Sequence, residues 1–255
     1  MIRSARAAGR LLRCVAHGLH GLAIVLLRFP SLDAPARQAN VQWWSTKMLR
    51  VMGIALQVEG VPATGGTLLV ANHISWLDIM AVHAVCPQAR FVSKADVKAW
   101  PLLSRLVDAA GTLYLERERK RDALRVVHTM AQALKDGEMV AVFPEGTTSD
   151  GQALLPFHAN LLQAAIATCT PVQPVALRFS DSSRPVSHAV EFIGDTTLLQ
   201  SLWRVARGDG VTARVALLPP RDSTLADRRE LAAALRADIE THLAGCRARP
   251  PTPAA

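Results

Sequence analysis

From position 53 onward, short apolar runs alternate with segments in which apolar residues recur every three or four positions. The short runs predict strands at 54–58, 67–71, 89–93, 112–115, 139–143, 172–179, 189–193 and 212–217. The periodic segments predict helices at 76–85, 100–110, 119–135, 159–168, 197–206 and 223–244. Alternating strands and helices are typical of an α/β fold, so we expect a mainly parallel, mixed sheet flanked by helices.

The first 52 residues follow a different pattern. Residues 14–27 contain no Asp, Glu, Lys or Arg. A run of this length is typical of an interfacial or re-entrant segment rather than of a spanning helix. A cleaved signal peptide is the alternative, but Arg13 interrupts the run and the residues at 28–30 form a poor cleavage site.

A second amphipathic helix is predicted at 41–52, with Trp43 and Trp44 side by side. Tryptophan favours the boundary between membrane and water, although an ordinary helix packed on the body of the protein explains the same pattern. We therefore expect an N-terminal membrane-associating helical hairpin at 1–52, a globular domain at 53–246 and a disordered Pro- and Ala-rich tail at 247–255.

Composition and charge also favour contact with a membrane. Half of the residues are hydrophobic, and residues 1–50 carry eight basic side chains and one acidic one, which is +7 of the total net charge of +8. Basic residues beside an anionic leaflet contribute roughly 1 kcal/mol each, so anionic membrane lipid is an expected partner. Nucleic acid also binds basic arms, but these arginines alternate with Leu, Val and Ile, and no nucleic-acid partner is expected. Four scattered cysteines without a CxxC pair fit a reducing compartment.

In an open α/β sheet, ligands bind outside the carboxyl ends of the strands, so polar residues after each strand are candidates for chemistry. After the strand at 67–71 come His73 and, five positions later, Asp78. A turn could fold the carboxylate back onto the imidazole, where it would fix the tautomer and stabilise the imidazolium of a catalytic base. Alternatively, Ser75 caps the next helix, Asp78 lies in its first turn and His73 is only a loop residue.

Two further strands end in polar residues. Arg117 closely follows the fourth predicted strand, where a guanidinium can bind a phosphate through two hydrogen bonds. The strand at 139–143 is followed by a loop that contains Glu145, Gly146 and Thr147. Glycine permits close approach of the backbone and hydroxyl groups donate to an anionic ligand, although a simple polar turn is the alternative.

The motifs of several commoner mechanisms are absent from the sequence. There is no GxSxG elbow, no GxxxxGK[ST] phosphate loop, no HExxH zinc helix and no GxGxxG fingerprint. No pair of histidines has metal-ligand spacing, so no metal site is expected. A histidine without a partner Ser or Cys nucleophile indicates a base that acts directly on the hydroxyl group of the substrate.

Four sequence blocks resemble those of the glycerolipid acyltransferases. The blocks are Asn72-His73-x4-Asp78, Gly111-x2-Tyr114-x2-Arg117, Phe143-Pro144-Glu145-Gly146-Thr147 and Pro171-Val172-Gln173-Pro174-Val175. One His-x4-Asp spacing arises easily by chance, but four blocks in the family's order over about residues 70–180 are specific. The resemblance identifies 53–246 as an acyltransferase domain.

The resemblance also implies roles for individual residues. His73 would be the general base that deprotonates the acceptor hydroxyl, Asp78 would orient it, and Arg117 would bind the phosphate of the acceptor. The other phosphate-binding residues implied are Lys94, Glu145, Gly146 and Thr147. The expected reaction transfers a fatty acyl group from acyl-CoA or acyl-carrier protein to the free hydroxyl of lysophosphatidic acid, without a cofactor or metal. The product would be phosphatidic acid.

The expected location is the inner, cytoplasmic membrane, with the active site on its cytosolic face. Two departures from the family pattern leave the acceptor open, because each removes a feature suited to a phosphorylated acceptor. Thr148 stands where an Arg is usual, and residues 157–160 replace a Phe-Lys-x-Gly element. A lyso-ornithine lipid or another lysolipid is therefore the alternative acceptor. A thioesterase-like hydrolase and a non-catalytic lipid-binding protein are alternatives of other classes.

Overall fold

The structure is a computed structural model that describes residues 2–94, 101–115 and 120–247. Its helices are α1 (Ile2–Leu27), α2 (Ala34–Val51), α3 (Leu77–His83), α4 (Pro101–Ala109), α5 (Lys120–Lys135), α6 (Gln163–Thr168), α7 (Leu198–Arg207) and α8 (Arg228–Arg247). Its strands are β1 (Ile54–Glu59), β2 (Thr67–Ala71), β3 (Arg90–Lys94), β4 (Leu113–Leu115), β5 (Met139–Val142), β6 (Val172–Ser180) and β7 (Val211–Leu217). Single 3-10 turns at Phe29–Ser31 and Ala159–Leu162 precede α2 and α6.

The seven strands form one sheet in the order β1-β7-β6-β2-β5-β3-β4. Every neighbouring pair is parallel except β6 and β7, which run antiparallel. The predicted mainly parallel α/β fold is therefore confirmed. All residues of β2, β5 and β6 are buried, as expected for central strands covered by helices on both faces.

Alternate residues of the central strands enter two separate cores. Leu69 and Ala71 of β2 face a core that includes residues of α1, α2, α3 and α7, whereas Leu68 and Val70 face a core built with α5, α6 and α8. The period of two along a strand produces this division, because successive side chains point to opposite faces. The N-terminal helices therefore share one face of the sheet with α3 and α7.

The helices α1 and α2 form an antiparallel hairpin. Trp44 donates its indole N–H to the carbonyl of His17 at 3.1 Å, and the ring of His17 stacks on that of Trp44. A Cβ atom at Gly21 would lie 2.3 Å from the indole nitrogen of Trp44, so only glycine permits this close approach. By length and composition alone, Arg3–Leu27 could cross a membrane, and it is the one such helix among the described residues.

Several boundaries differ from the sequence predictions, most of all in the second and the last helix. The second helix begins at Ala34 instead of 41, because Asp33 caps it by accepting the N–H of Ala36 and Pro35 lies in its first turn. The last helix begins five residues later than predicted, at Arg228. Arg247 is its final residue, and the rest of the predicted tail, 248–255, lies outside the described residues.

The strand predicted at 189–193 was wrong. This segment is irregular, and side chains bind its carbonyl groups in place of a neighbouring strand. Thr148 donates to the carbonyl of Phe192, and Arg204 donates to that of Glu191. The place beside β6 that such a strand could have taken is occupied by β7.

The buried histidine of α3 makes folding sensitive to acid. His83 is 2% exposed and bonds to the carbonyl of Ala89, and burial lowers its pKa from 6.5 to about 4. Between these two pKa values the imidazole is protonated in the unfolded chain but neutral in the native state. The free energy of unfolding therefore falls as the pH drops from 6.5 towards 4. We expect this residue to contribute about 3 kcal/mol of that loss.

The His83→Gln variant keeps a hydrogen-bond donor and removes the titration. Urea unfolding of wild type and variant in the same detergent, at intervals between pH 7 and pH 4, should show a shallower loss of stability for the variant. His128→Gln, on an exposed position of α5, is the matched control and should follow the wild-type slope. Equal slopes for all three proteins would contradict this origin of acid sensitivity.

Candidate active site

The sheet brings the predicted motifs to one edge. Strands β2 and β5 are parallel neighbours, β3 follows β5, and β4 follows β3. Their carboxyl ends therefore lie in a row, which places the loop after β2 beside the loop after β5. These two loops carry the His-x4-Asp pair and the Glu-Gly-Thr element.

His73 and Asp78 are in direct contact. Nδ1 of His73 lies 2.7 Å from Oδ2 of Asp78, and the same oxygen accepts the backbone N–H groups of Ile74 at 2.6 Å and Ser75 at 2.9 Å. Because a carboxylate only accepts, Nδ1 carries the proton and Nε2 keeps its lone pair. Asp78 is fully buried, whereas the side chain of His73 is 19% exposed. No side chain caps α3, so the capping role considered for Ser75 is not found.

Four further contacts, with three residues, fix the position of His73. Its backbone N–H donates to Oε1 of Glu145 at 2.8 Å, and its carbonyl accepts from the backbone N–H of Ser149 at 2.8 Å and from the Ser149 hydroxyl at 3.1 Å. Its ring stacks on Phe143 with centroids 3.9 Å apart and planes 9° apart. The loop after β5 therefore holds both the backbone and the ring of the candidate base.

Glu145 contacts the protein backbone on both of its oxygens. Oε2 accepts the N–H of Leu155 at 3.0 Å, opposite the bond from His73 to Oε1. The side chain is buried, and burial raises its pKa, although the two N–H groups oppose that shift. This geometry fits a residue that joins two loops, whereas a carboxylate beside a phosphate would repel it.

The other predicted phosphate ligands are placed in part. Gly146 has a φ of 70°, which glycine adopts without strain, and Thr147 is exposed at the edge of the sheet. Lys94 is the last residue of β3, but its side chain lies outside the described residues, as does all of Arg117. The structure therefore brings His73, Asp78 and the 145–147 loop together. Of the two predicted cationic ligands, it describes only the backbone of Lys94.

Sequence reasoning missed three residues that build this site. Asn72 pairs with the backbone of β6, donating to the carbonyl of Leu177 at 2.9 Å and accepting its N–H at 2.7 Å. Ser149 braces His73, and Trp76 donates its indole N–H to the hydroxyl of Ser201 at 3.1 Å. All three adjoin a motif, but their partners are distant in sequence, and no local signal identifies such pairs.

An apolar cavity of about 370 Å³ begins beside the His-x4-Asp loop. Trp76, Ile79 and Phe91 line it near the loop, and the remaining wall comes from α1, α2, α4 and α7. Its volume lies in the range of small-molecule sites, which is about 300–1,000 Å³. The cavity thus connects the region of the candidate base with the helical hairpin.

An α/β sheet with a positioned base at its carboxyl edge, and an apolar cavity alongside, suits an enzyme that acts on an apolar substrate. Residues 55–178 match the family model described as Acyltransferase. A lyso-ornithine lipid O-acyltransferase of Pseudomonas aeruginosa is 39% identical over 235 residues, covering 91% of this chain and 88% of that protein. The chain belongs to the acyltransferase family.

Two other relatives carry a different name. A 1-acyl-sn-glycerol-3-phosphate acyltransferase of Neisseria meningitidis is 36% identical over 185 residues, covering 71% of each chain. The crystal structure of the 1-acyl-sn-glycerophosphate (LPA) acyltransferase of Thermotoga maritima superposes with a TM-score of 0.69 at 20% identity, covering 95% of this chain and all of that one. This last likeness concerns the fold.

Proposed function

We propose that this enzyme transfers a fatty acyl group from an acyl thioester to the free hydroxyl of a lysolipid. The observation that carries the proposal is the contact between His73 and Asp78, which leaves Nε2 free to accept a proton beside an apolar cavity. Nε2 takes the hydroxyl proton while the oxygen attacks the thioester carbonyl. The new ester bond forms, the C–S bond breaks, and the proton passes to the departing thiolate.

The cavity is the proposed site of the acyl chain, with acyl-CoA or acyl-carrier protein as the donor. Its long apolar wall suits a hydrocarbon and removes it from water. The proposed anion-binding residues are Lys94, Arg117, Gly146 and Thr147. Glu145 is proposed instead as a positioning residue for His73, because both of its oxygens are bound to backbone N–H groups. The proposed location is the cytosolic face of the inner membrane, where the basic N-terminal segment would meet anionic lipid.

Lyso-ornithine lipid is the acceptor that two observations favour. A relative named for that activity, from Pseudomonas aeruginosa, matches 91% of this chain. In addition, Thr148 stands where the phosphatidate-forming members of the family usually have Arg, and its hydroxyl donates to the carbonyl of Phe192. Lysophosphatidic acid is the second candidate, favoured by the relatives named for that activity and by the expected cations at Lys94 and Arg117.

A competition assay tests the proposal. Purified enzyme in detergent micelles receives labelled acyl-CoA or acyl-carrier protein together with equal amounts of lyso-ornithine lipid and lysophosphatidic acid, and products are resolved by mass. Diacylated ornithine lipid as the main product supports the favoured acceptor, and phosphatidic acid supports the second. Release of free fatty acid alone would identify a thioesterase-like hydrolase, and no turnover with either donor would favour a lipid-binding protein.

A larger side chain at Gly18 should shorten the acyl chain that the cavity accepts. Gly18 lines the cavity, and a Cβ atom there meets no atom within 4 Å, so Gly18→Leu fills space without displacing the helix. Overpacking costs about 1–3 kcal/mol, so we expect kcat/KM for a 16-carbon donor to fall about tenfold relative to an 8-carbon donor.

Gly9→Leu provides the matched control for this substitution. Gly9 lies in the same helix and is equally unobstructed, but it does not line the cavity. It should leave the ratio of the two donors unchanged. A Gly18→Leu enzyme with the wild-type ratio would exclude this part of the cavity from the acyl site.

A further inference from the structure

The outer face of α7 is apolar where a surface helix is normally polar. Ser201 and Val205 are buried against the body, whereas Leu199 is 72% exposed and Trp203 is 39% exposed. With Arg207 these outward residues recur every fourth position, so they share one side of the helix. A leucine and a tryptophan exposed on the same side of a helix indicate a surface that binds an apolar partner.

Helix α1 lies alongside α7 and also has an apolar outer face. Arg10 of α1 donates to the carbonyls of Ala206 at 3.1 Å and Gly208 at 2.7 Å, and Arg6 pairs with Asp209 at 3.1 Å. The exposed apolar residues of α1 are Leu12, Val15, Leu19, Leu26 and Leu27. Because both helices turn their buried sides to the same body, their outer sides are adjacent. We call Leu12, Val15, Leu19, Leu199 and Trp203 the α1/α7 face.

The charge of the helices at this face is positive, although Asp209, just after α7, pairs with Arg6. The sequences of α1, α2 and α7 contain four, three and two Arg or Lys residues, nine in all, and no Asp or Glu. Cations also accompany two exposed tryptophans: Lys47 lies 4.8 Å from the ring of Trp43, and Arg207 lies 6.0 Å from that of Trp203. Paired aromatic and cationic side chains suit the headgroup level of a bilayer with negative charge.

We propose that α7 joins α1 in docking the enzyme on the surface of an anionic lipid bilayer. The proposed lysolipid substrate explains why the enzyme would need to dock on a bilayer. The apolar face and its charge are observed independently of that proposed function. A second copy of this chain fits the face less well, because the excess of positive charge on these helices would meet the same excess on the other copy. A bilayer with anionic lipid supplies both the apolar interior and the opposite charge.

Docking through α7 would bring the membrane to the catalytic loop. Ser201, on the buried side of α7, accepts the indole N–H of Trp76, which lies between His73 and Asp78 in sequence. Leu198 and Leu202 of the same helix line the apolar cavity. One helix therefore separates the proposed bilayer surface from the cavity, and a lysolipid would travel only the width of that helix.

The test measures partition of the purified protein onto phosphatidylcholine vesicles with and without phosphatidylglycerol. The Leu199→Ser/Trp203→Ser variant should bind the anionic vesicles about tenfold more weakly than wild type. The matched control, Leu124→Ser/Leu225→Ser, removes two exposed leucines from the opposite side of the sheet and should bind like wild type. Both variants should keep wild-type acyl transfer in detergent micelles, where no bilayer is required.

A second variant keeps the proposal testable if the double variant folds poorly. Arg207→Gln removes one charge from the end of α7 and should weaken binding to anionic vesicles about fivefold, with the difference vanishing at high salt. Wild-type vesicle binding by the α7 variants would overturn the proposal, as would an altered oligomeric state in place of altered binding. A wild-type enzyme without acyl transfer in micelles would overturn the proposed function, whereas the vesicle measurement would still decide the docking face.

Discussion

His73→Ala is expected to lower kcat by about 10³- to 10⁴-fold while the protein stays folded. A positioned base contributes typically about 10²–10⁴-fold, and here no neighbouring group described by the structure can replace it. The side chain is partly exposed, and after its removal Oδ2 of the buried Asp78 keeps the backbone N–H groups of Ile74 and Ser75. Initial rates at saturating donor and lysolipid, together with thermal unfolding, measure the two effects.

His128→Ala is the matched control for this variant. His128 is an exposed residue of α5, on the opposite face of the sheet from the hairpin, and its removal should change neither rate nor stability. If the His73→Ala enzyme retained more than a few per cent of wild-type activity, the proposed base would be wrong. Loss of activity with an unfolded protein would instead indicate a structural role.

Asp78→Asn should lower kcat about 10³-fold and leave KM for the lysolipid nearly unchanged. Asp78 contacts no substrate in the proposed mechanism and acts by holding Nδ1–H of His73, so its loss affects the transition state and not the binding of the acceptor. An amide oxygen in the place of Oδ2 can still accept the N–H groups of His73, Ile74 and Ser75, but the negative charge that stabilises the imidazolium is lost. The NH2 group takes the place of the buried Oδ1, which has no hydrogen-bond partner among the described residues. We expect a loss of about 1–2 kcal/mol of stability.

The split between kcat and KM separates positioning from a general structural effect. Asp150→Asn makes the same chemical change at an exposed position of the adjacent loop and should keep wild-type values of both constants. An Asp78→Asn enzyme whose kcat is nearly normal would remove this residue from the mechanism. A fall in kcat that only parallels the unfolded fraction would assign it to stability.

Patterns local in the chain predicted much of this protein. Strands such as β2 and β5 are continuous apolar runs because both of their faces are buried, and burial on both faces is visible in sequence. The spacing between His73 and Asp78 predicted their contact, since a short turn determines the geometry of residues five positions apart. The short apolar run at 189–193 led to a wrong strand prediction, because the side chains of Thr148 and Arg204, which lie outside the run, bind its backbone.

By itself, the sequence determined the α/β class, the order of most elements, the basic and apolar N-terminal hairpin, and the candidate base with its carboxylate. Each of these features follows from patterns that are local in the chain, such as the apolar period of one helix or strand. The tertiary structure alone decided that Glu145 and Ser149 clamp His73, that five helices line one apolar cavity, and that α7 lies beside α1. These contacts join segments tens to nearly two hundred residues apart, and only the packing of helices on the two faces of the sheet brings them together.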